Sequence, residues 1–373
     1  MGLFFATKIK YNKNMKARVL ETLRYFNNRR VQVYRKRYIE FDLKRKLSTV
    51  KGKDLTSIEI KAINSTWKGG REFIDLRWNT FYKAIAKEGE SINQYCPDSL
   101  FYSIIDFHLS DYKISTVFDD KNLYDIYFYD IPRPKTIIRN IDGIIMDSLY
   151  NKLSETEAVE KCKLYSEVIC KPALAMCGGK GIEFLSSKNN TDDFLKILSK
   201  PNIIIQEIMG QHQHIKYIYP HSLNTIRIMT LMKEDECIVL SSVLRMGANG
   251  NKVDNVSSGG YACGIMENGK LRSFAYNNKG ESVTIHPQGA VFSEFQIPNF
   301  EEFKEMATKL AYRLCRISRL ISWDFSVSEE GHPVFIEANL SWGELDFHQM
   351  CNGPIFGERT HEIWEWFQNK YLK

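Results

Sequence analysis

The 373-residue sequence predicts an α+β protein in which a basic, mostly helical N-terminal region precedes two mixed α+β subdomains. Residues 14–48 have a helical pattern, strands and helices alternate from about residue 116, and residues 223–265 are rich in β-forming residues. We therefore expect residues 1–115 to form the N-terminal region, 116–205 a small subdomain and 206–373 a larger one.

Local signals place the individual elements. The N-terminal helix is expected to break near Asn27 and Asn28, and Ser154 with Glu157 forms a capping box at the start of a helix. The other expected helices are 57–63, 75–87, 97–109, 191–198, 300–317 and 360–368. The expected strands are 136–139, 166–171, 181–185, 201–207, 224–231, 237–244 and 260–265, followed by a hairpin around Gly331.

Composition indicates a soluble cytoplasmic protein. Hydrophobic residues make up 43% of the chain and charged residues 26%, both ordinary values for a globular protein. We find no apolar run as long as a membrane span and no signal peptide. The eight cysteines are scattered without a CxxC pair, so we interpret them as reduced packing residues.

Positive charge is confined to one end of the chain. Residues 1–53 carry sixteen Lys or Arg and three Asp or Glu, while the other 320 residues carry 35 and 42. A basic segment with interleaved aromatics, residues 8–53, fits contact with the inner face of an anionic membrane or with a phosphorylated partner. The alternative is a solvated helix packed on the body through Leu20, Leu23 and Phe26. No nucleic-acid-binding module follows, so we expect no nucleic-acid partner.

Two strand-like runs near the C-terminus carry oxygen ligands. Asp324 lies on the first run, and Glu337 and Asn339 share one face of the second because side chains two positions apart on a strand point together. A hairpin that turns near Gly331 brings the three side chains together, and hard oxygen ligands suit Mg²⁺. The alternative is a β-hairpin with a polar solvent face.

Three further segments carry chemistry. Lys171 ends a strand and is followed by a Gly178–Gly181 turn whose backbone N–H groups could approach an anion, although no Walker sequence is present. Residues 203–209 form an apolar strand that ends in polar groups suited to an adenine edge. Arg227 and Arg245 lie on strands that face a Gly-Gly turn and suit an anionic intermediate. The alternatives are a plain hairpin for the glycine turn, a buried strand for residues 203–209 and strand-face salt bridges for the two arginines.

In order along the chain, these segments resemble the ATP-grasp superfamily and, within it, the sugar-transfer-associated branch. The resemblance runs from about residue 116 to 345. Its elements are Asp120, Lys121, residues 131–134, Lys171, 178–181, Gln206, Glu207, Gln211, His212, 222–227, Arg245, Asp254, Asn255, Gly259, Gly260, His286, Pro287, Trp323, Asp324 and residues 337–339.

The resemblance implies an ATP site with magnesium. Backbone and apolar groups of residues 207–209, the hinge, would hold adenine. The lysines and the glycine turn would hold the phosphates. The acidic hairpin would hold two Mg²⁺ ions. The implied nucleotide contacts are Lys121, Lys171, Gly178, Gly179, Lys180, Gly181, Gln206, Glu207, Ile208, Met209 and Gln211. The implied metal ligands are Asp324, Glu337 and Asn339, and the residues facing the transferred phosphate are Arg227, Arg245 and Asn255.

The activity implied by the resemblance is ATP-dependent ligation of a carboxylate to an amine through an acyl phosphate. The branch implies transfer of an amino acid or similar group to a nucleotide- or lipid-linked sugar in surface polysaccharide or glycoconjugate assembly, with the loop 341–349 near the acceptor. A kinase that phosphorylates a hydroxyl and a non-catalytic nucleotide-binding scaffold remain as alternatives. Many superfamily members place an acidic residue after the hinge to bind the ribose, and Gln211 and His212 stand there instead.

Overall fold

A computed structural model of the chain describes residues 2–174, 181–254, 256 and 259–372, with side chains described from residue 22 onward. Its first element is one long helix, α1 (Gly2–Leu47). The break predicted at Asn27 and Asn28 is wrong, because the helix continues through both residues. Both are solvent-exposed, and asparagine costs an exposed helix interior well under ~1 kcal/mol relative to alanine.

The C-terminal half of α1 packs against the body. Ile39 and Leu43 are buried in a hydrophobic cluster, whereas Leu23 and Phe26 are exposed. The prediction that Leu23 and Phe26 pack on the body is therefore wrong, and Leu20 has a side chain outside the described residues. The apolar side chains of α1 that pack on the body, such as Ile39 and Leu43, lie further along the chain than the predicted ones.

Short helices connect α1 to the first sheet. Thr56 caps the first of them in a capping box with Glu59, and a π-helical turn interrupts the segment predicted at 97–109. The helices are α2 (Ser57–Thr66), α3 (Leu76–Ile85), α4 (Asp98–Leu100), α5 (Asp106–Leu109), α6 (Tyr112–Ser115) and α7 (Tyr124–Tyr127). The π-helical turn spans Phe101–Ile105 between α4 and α5.

The first sheet is antiparallel. Its strands, in chain order, are β1 (Thr136–Ile141), β2 (Ile144–Asp147), β3 (Glu167–Pro172), β4 (Glu183–Ser186) and β5 (Ile203–Glu207). They are arranged in the order β2-β1-β5-β3-β4. Helices α8 (Glu155–Lys163) and α9 (Thr191–Leu198) pack against it, and Ser154 caps α8 as predicted. The predicted pairing of the two strands around the glycine turn is confirmed.

The second sheet is larger, and its seven described strands are also antiparallel. They are β6 (Thr225–Lys233), β7 (Glu236–Met246), β8 (Tyr261–Ile265), β9 (Leu271–Tyr276), β10 (Ser282–Val283), β11 (Leu320–Val327) and β12 (Pro333–Asn339), in the order β10-β9-β8-β7-β6-β11-β12. The helices of this half are α10 (Gln213–Ile218), α11 (Phe300–Leu314), α12 (Leu345–Asn352) and α13 (Thr360–Tyr371).

Hydrophobic clusters cover both faces of the second sheet. Met229 and Leu231 of β6 point into a cluster shared with α1, α12 and α13, while Ile226 and Ile228 point into a cluster shared with α11. This alternation follows from the twofold period of a strand. Four adjacent strands of this sheet, β7, β6, β11 and β12, carry the acidic and basic groups described below.

None of the helices in the described residues is long and apolar enough to cross a bilayer. Seven cysteines lie in the described ranges, and all seven are free thiols, most of them buried. The interpretation of these cysteines as reduced packing residues agrees with the structure.

Candidate functional site

The predicted acidic hairpin forms in the structure. Strands β11 and β12 pair antiparallel, and the Cα atoms of Asp324 and Glu337 are direct cross-strand partners. Asn339, two positions further along β12, lies near Asp324, with its Nδ2 donating to Asp324 Oδ2 at 3.4 Å. The structure therefore brings together the three side chains that the sequence predicted as metal ligands.

Asp324 is buried among cations. Arg227 lies opposite it on β6 and donates from Nε and Nη2 to its two carboxylate oxygens at 2.7 and 2.6 Å. Arg245 on β7 approaches the same carboxylate at 3.4 Å. Burial opposes ionisation, but the charge and hydrogen bonds of Arg227 outweigh it and hold the pKa of Asp324 below its usual value. Asp324 is thus an anion at neutral pH.

The two predicted phosphate lysines lie near Glu337 of the hairpin. Lys121 Nζ donates to Glu337 Oε1 at 2.7 Å. Lys171 ends β3, and burial, with a further contribution from the charge of Lys121, lowers the pKa of its ammonium group to about 8. Two cations held this close without an excess of anions favour an added polyanion between them.

The donor set fits magnesium. Asp324 and Glu337 supply carboxylate oxygens, and Asn339, which donates through Nδ2, has its amide oxygen left as a ligand atom. Among the residues that the structure describes, no cluster of three His, Cys, Asp or Glu forms, because the third predicted ligand is an amide. Arg227 and Lys121 neutralise the two carboxylates, as a divalent cation would.

A carboxylate that the sequence analysis had not assigned joins the two arginines. Glu344, in the loop after β12, hydrogen-bonds to Arg227 Nη1 and lies 3.9 Å from Arg245 Nε. Arg245 Nε is buried and has no hydrogen-bond acceptor among the described residues. The two arginines therefore already contact two carboxylates of the chain, those of Asp324 and Glu344, and Arg245 Nε retains a free donor. This donor is the group of the arginine site that is left for an external anion.

The predicted adenine hinge lies at the end of β5. Glu207 Oε1 accepts a hydrogen bond from the Lys135 backbone at 3.2 Å, and Gln206 Nε2 points to the Pro134 carbonyl at 3.4 Å. Ile208 follows with 40% of its surface exposed. Met209 lines the same cleft. An apolar surface next to a strand end is the arrangement predicted for the hinge.

Gln211 has a structural role in the described chain. Its Nε2 donates to the Ser222 carbonyl at 2.9 Å, and its Oε1 accepts from the backbone and side-chain nitrogens of Asn224 at 3.1 and 3.2 Å. The side chain would have to give up these bonds to bind a ribose. The structure thus places Gln211 at the cleft but engages its amide in holding the following turn.

Four predicted site residues lie outside the described residues: Gly178, Gly179, Lys180 and Asn255. Gly181, at the end of the glycine turn, is described and has a φ of +78°. A Cβ at Gly181 would also lie 2.9 Å from Pro172 Cγ on β3. Glycine is therefore required at this position on both conformational and steric grounds.

These groups line one continuous cleft of about 1340 Å³ between the two sheets. The predicted residues that line it are Lys121, Lys171, Gln206, Glu207, Ile208, Met209, Gln211, Arg227, Arg245, Asp324, Glu337 and Asn339. Helix α1 also lines it, which the sequence had not indicated. A cleft this large exceeds the roughly 300–1,000 Å³ of a single small-molecule site.

Three histidines, His212, His286 and His348, are candidates from the sequence for a general base, and none of them lines the cleft. His348 is fully buried, and burial together with the charge of Arg227 lowers the pKa of its imidazole to about 3. Burial also lowers the pKa of His286, whose Nε2 lies 2.9 Å from the Gly247 carbonyl oxygen. Neither side chain lines the cleft.

Comparison with known proteins gives a family and several distant structural likenesses. No curated protein matches the sequence significantly. VanG D-Ala:D-Ser ligase from Enterococcus faecalis is 16% identical with a TM-score of 0.41, over 69% of this chain and 62% of that one. D-alanyl-alanine synthetase A from Vibrio cholerae is 10% identical with a TM-score of 0.40, over 69% and 66%. The chain spans about two thirds or less of the length of these proteins.

The biotin carboxylase domain of the Hydrogenobacter thermophilus 2-oxoglutarate carboxylase, solved with MgADP, is 15% identical with a TM-score of 0.40, over 69% of this chain and 46% of that one. The sequence family described as sugar-transfer associated ATP-grasp matches residues 107–364, more than half of the chain. The resemblance inferred from the ordered motifs is thereby confirmed, and the protein belongs to the sugar-transfer associated ATP-grasp family.

Proposed function

We propose that the protein is an ATP-dependent carboxylate–amine ligase that forms an acyl phosphate and then an amide. The observation that carries the proposal is the meeting of Asp324, Glu337 and Asn339 with two lysines and two arginines in one cleft. The cleft has room for a nucleotide and a second substrate. Family membership supports ATP as the phosphoryl donor. With the proposed boundaries at residues 115 and 205, the cleft would lie between the small subdomain (116–205) and the larger one (206–373).

Each group has a distinct task in the proposed reaction. Lys121 and Lys171 hold the ATP phosphates, and the hinge at Glu207–Met209 holds adenine. Asp324, Glu337 and Asn339 would hold Mg²⁺, proposed as two ions, which would neutralise phosphate charge. The substrate carboxylate attacks the γ-phosphorus, so that an O–P bond forms and ADP leaves. Arg227 and Arg245 stabilise the anion in both steps, and positioning and charge supply most of the rate.

We place this reaction in the assembly of a surface polysaccharide or glycoconjugate, with an amino acid or related group joined to a nucleotide- or lipid-linked sugar. The family's description as sugar-transfer associated supports that setting. A cytoplasmic location, at the inner face of the membrane, follows because such activated sugars are assembled where ATP is present.

The decisive experiment is ADP and phosphate release from Mg-ATP in the presence of pools of carboxylates and amines. A ligase releases both products in equal amounts and only when a carboxylate is present. Hydroxylamine replaces the amine in a second arm, because it traps an acyl phosphate as a hydroxamate. ADP without free phosphate would indicate the kinase alternative, and a folded protein that binds no Mg-ATP would support neither enzyme.

The pKa of Lys171 makes nucleotide binding depend on pH. Below about pH 8 its ammonium group is charged in the free protein, and phosphates favour that form. Above that pH, binding must recapture a proton, so the affinity for Mg-ATP should fall by up to ~10-fold per pH unit. Titration calorimetry measures this. Lys171→Arg, which stays charged, should flatten the profile, and a flat wild-type profile would contradict the assignment.

Contact with an anionic membrane is proposed for the exposed face of α1. Tyr25 and Phe26 are exposed there, and Arg30 and Arg37 are exposed without an ion pair among the described residues. In vesicles with anionic lipid, cosedimentation should decrease with added salt and with Arg30→Gln/Arg37→Gln. Binding that is equal with neutral and anionic vesicles would count against this contact.

A further inference from the structure

The cleft extends beyond the arginine pair into a second region, here called the annex. It is lined by Tyr38 and Asp42 of α1, by Asp98, by Tyr102 of the π-helical turn, and by Trp342 and Asp346 of the segment after β12. The loop that follows Asn339 carries Trp342 and Glu344 from the metal-binding hairpin directly into this region. Any molecule in the annex is therefore next to the site where an acyl phosphate would form.

One carboxylate in the annex lacks a cation. Asp42 pairs with Arg45 at 2.7 Å and Asp346 pairs with Lys46 at 2.8 Å. Asp98 makes no ion pair with any described residue, although only 1% of its surface is exposed. Its Oδ1 accepts a hydrogen bond from the Tyr82 hydroxyl. A buried carboxylate in this state is costly, and an added cation would relieve the cost.

Burial also acts on the proton equilibrium of this group. Desolvation, reinforced by the neighbouring charge of Asp346, raises the pKa of Asp98 well above its usual value. The structure thus pairs every annex acid except the one that is most deeply buried. A cationic ligand beside Asp98 would favour its ionised form and pair with it.

Aromatic rings form the remaining walls of the annex. Trp342 stacks on Tyr102 with ring centroids 4.9 Å apart, and Tyr38 meets Trp342 edge-on at 5.4 Å. The Arg35 guanidinium lies over the Trp342 ring at 4.9 Å and fixes it from behind. Trp342 and Glu344 both have a φ of +61°, an uncommon conformation for residues other than glycine. The loop therefore holds its aromatic ring in one orientation at a local energetic cost.

We propose that the annex binds the amine substrate of the ligase in its ammonium form. Asp98 pairs with the ammonium group, and the ring of Tyr38 and the edge of the Trp342 ring border the attached carbon skeleton. The inference rests on the proposed ligase function and adds the substrate class of its second site: a protonated primary amine attached to a flat or cyclic skeleton, as in an amino sugar.

The chemistry of the second step balances with an ammonium substrate. The ammonium group loses one proton to water, and the free amine attacks the acyl carbon of the acyl phosphate. A C–N bond forms, the C–O bond to phosphate breaks, and the phosphate leaves with the electron pair. The leaving phosphate takes the second proton, so that the products are an amide and hydrogen phosphate.

The test uses the full chain and matched pairs of probes: D-glucosamine with N-acetyl-D-glucosamine, and cyclohexylamine with N-cyclohexylacetamide. Titration calorimetry should show that at least one amine binds ~10-fold or more tightly than its uncharged acetyl form, as expected for a charged hydrogen bond. Asp98→Asn keeps the shape of the side chain and should remove this preference. Asp130→Asn, an equivalent change on the surface, should keep it.

Two outcomes would overturn the proposal: no amine binds better than its acetyl form at about 10 mM, or the preference survives Asp98→Asn. Trp342→Ala provides a second variant, expected to weaken both members of the cyclohexyl pair alike because it removes the ring and leaves the charge. Mg-ATP binding and hydroxamate formation should persist in Asp98→Asn. Their absence from the wild type would refute the ligase instead, so the two failures are distinguishable.

Discussion

Replacement of Asp324 by Asn should reduce ADP release by at least about 100-fold, the range found when one charge-stabilising group is lost from a reacting centre. Asp324 is ionised and buried, and it is the carboxylate that both arginines contact. The amide would keep the shape but remove the charge that attracts a divalent cation. It would also leave the buried guanidinium of Arg227 with Glu344 as its single anion.

Glu337→Gln separates catalysis from stability. Glu337 is about a third exposed and contacts Lys121, so its neutralisation should reduce turnover comparably while the free energy of unfolding changes by less than ~1 kcal/mol. Asp324→Asn should lower that free energy by roughly 1–3 kcal/mol, because a buried charged hydrogen bond is weakened. Asp130→Asn is the matched surface control and should leave turnover unchanged. Full turnover in folded Asp324→Asn would exclude the proposed metal site.

The hairpin that carries the metal ligands could be predicted because its signal is local. Glu337 and Asn339 are two positions apart on a strand, and Gly331 marks the turn, so alternation alone puts the side chains on one face. The strands β3, β5, β6 and β7 were predicted for the same reason. The small strand β10 and the helices α10 and α12 were missed because their stability comes from packing rather than from their own residues.

The acidic and aromatic side of the site could not be predicted, because it depends on contacts between distant segments. Glu344 reaches Arg227 across 117 positions, and its loop has a left-handed conformation that sequence signals favour only for glycine or asparagine. Asp98 follows a proline at the start of a short helix and looks like an ordinary helix-start residue. Only the fold shows that it faces the cleft without a cation.

The basic N-terminal segment shows how a charge pattern can mislead. Arg35 and Lys46 belong to a run that the sequence indicated as an exposed face, yet both are buried. Arg35 donates to Asp106 Oδ2 at 2.6 Å and to the Tyr102 carbonyl at 3.0 Å, and Lys46 pairs with Asp346. Helix α1 is thus joined by ion pairs to the segments that form the annex, and these charges are not free to bind a membrane.

Replacement of Arg35 by Leu should lower the free energy of unfolding by about 3–5 kcal/mol, because it leaves Asp106 as an uncompensated buried charge. Arg30→Leu, five residues earlier on the exposed face of α1, should change it by no more than ~0.5 kcal/mol. Urea unfolding of both variants measures the difference. Equal stability of the two variants would mean that α1 does not contribute to the body through this pair.

The pH dependence of that loss identifies its cause. Burial raises the pKa of Asp106, and the charge of Arg35 is the main influence that opposes the rise. Without Arg35 the carboxyl group should take up a proton more readily, and a protonated Asp106 needs no cation. The stability gap between Arg35→Leu and the wild type should therefore narrow as the pH falls and widen as it rises. A stability gap that is constant with pH would indicate that the loss comes from the packing of the arginine side chain. If charge is the cause, the double variant Arg35→Leu/Asp106→Leu should be more stable than Arg35→Leu alone.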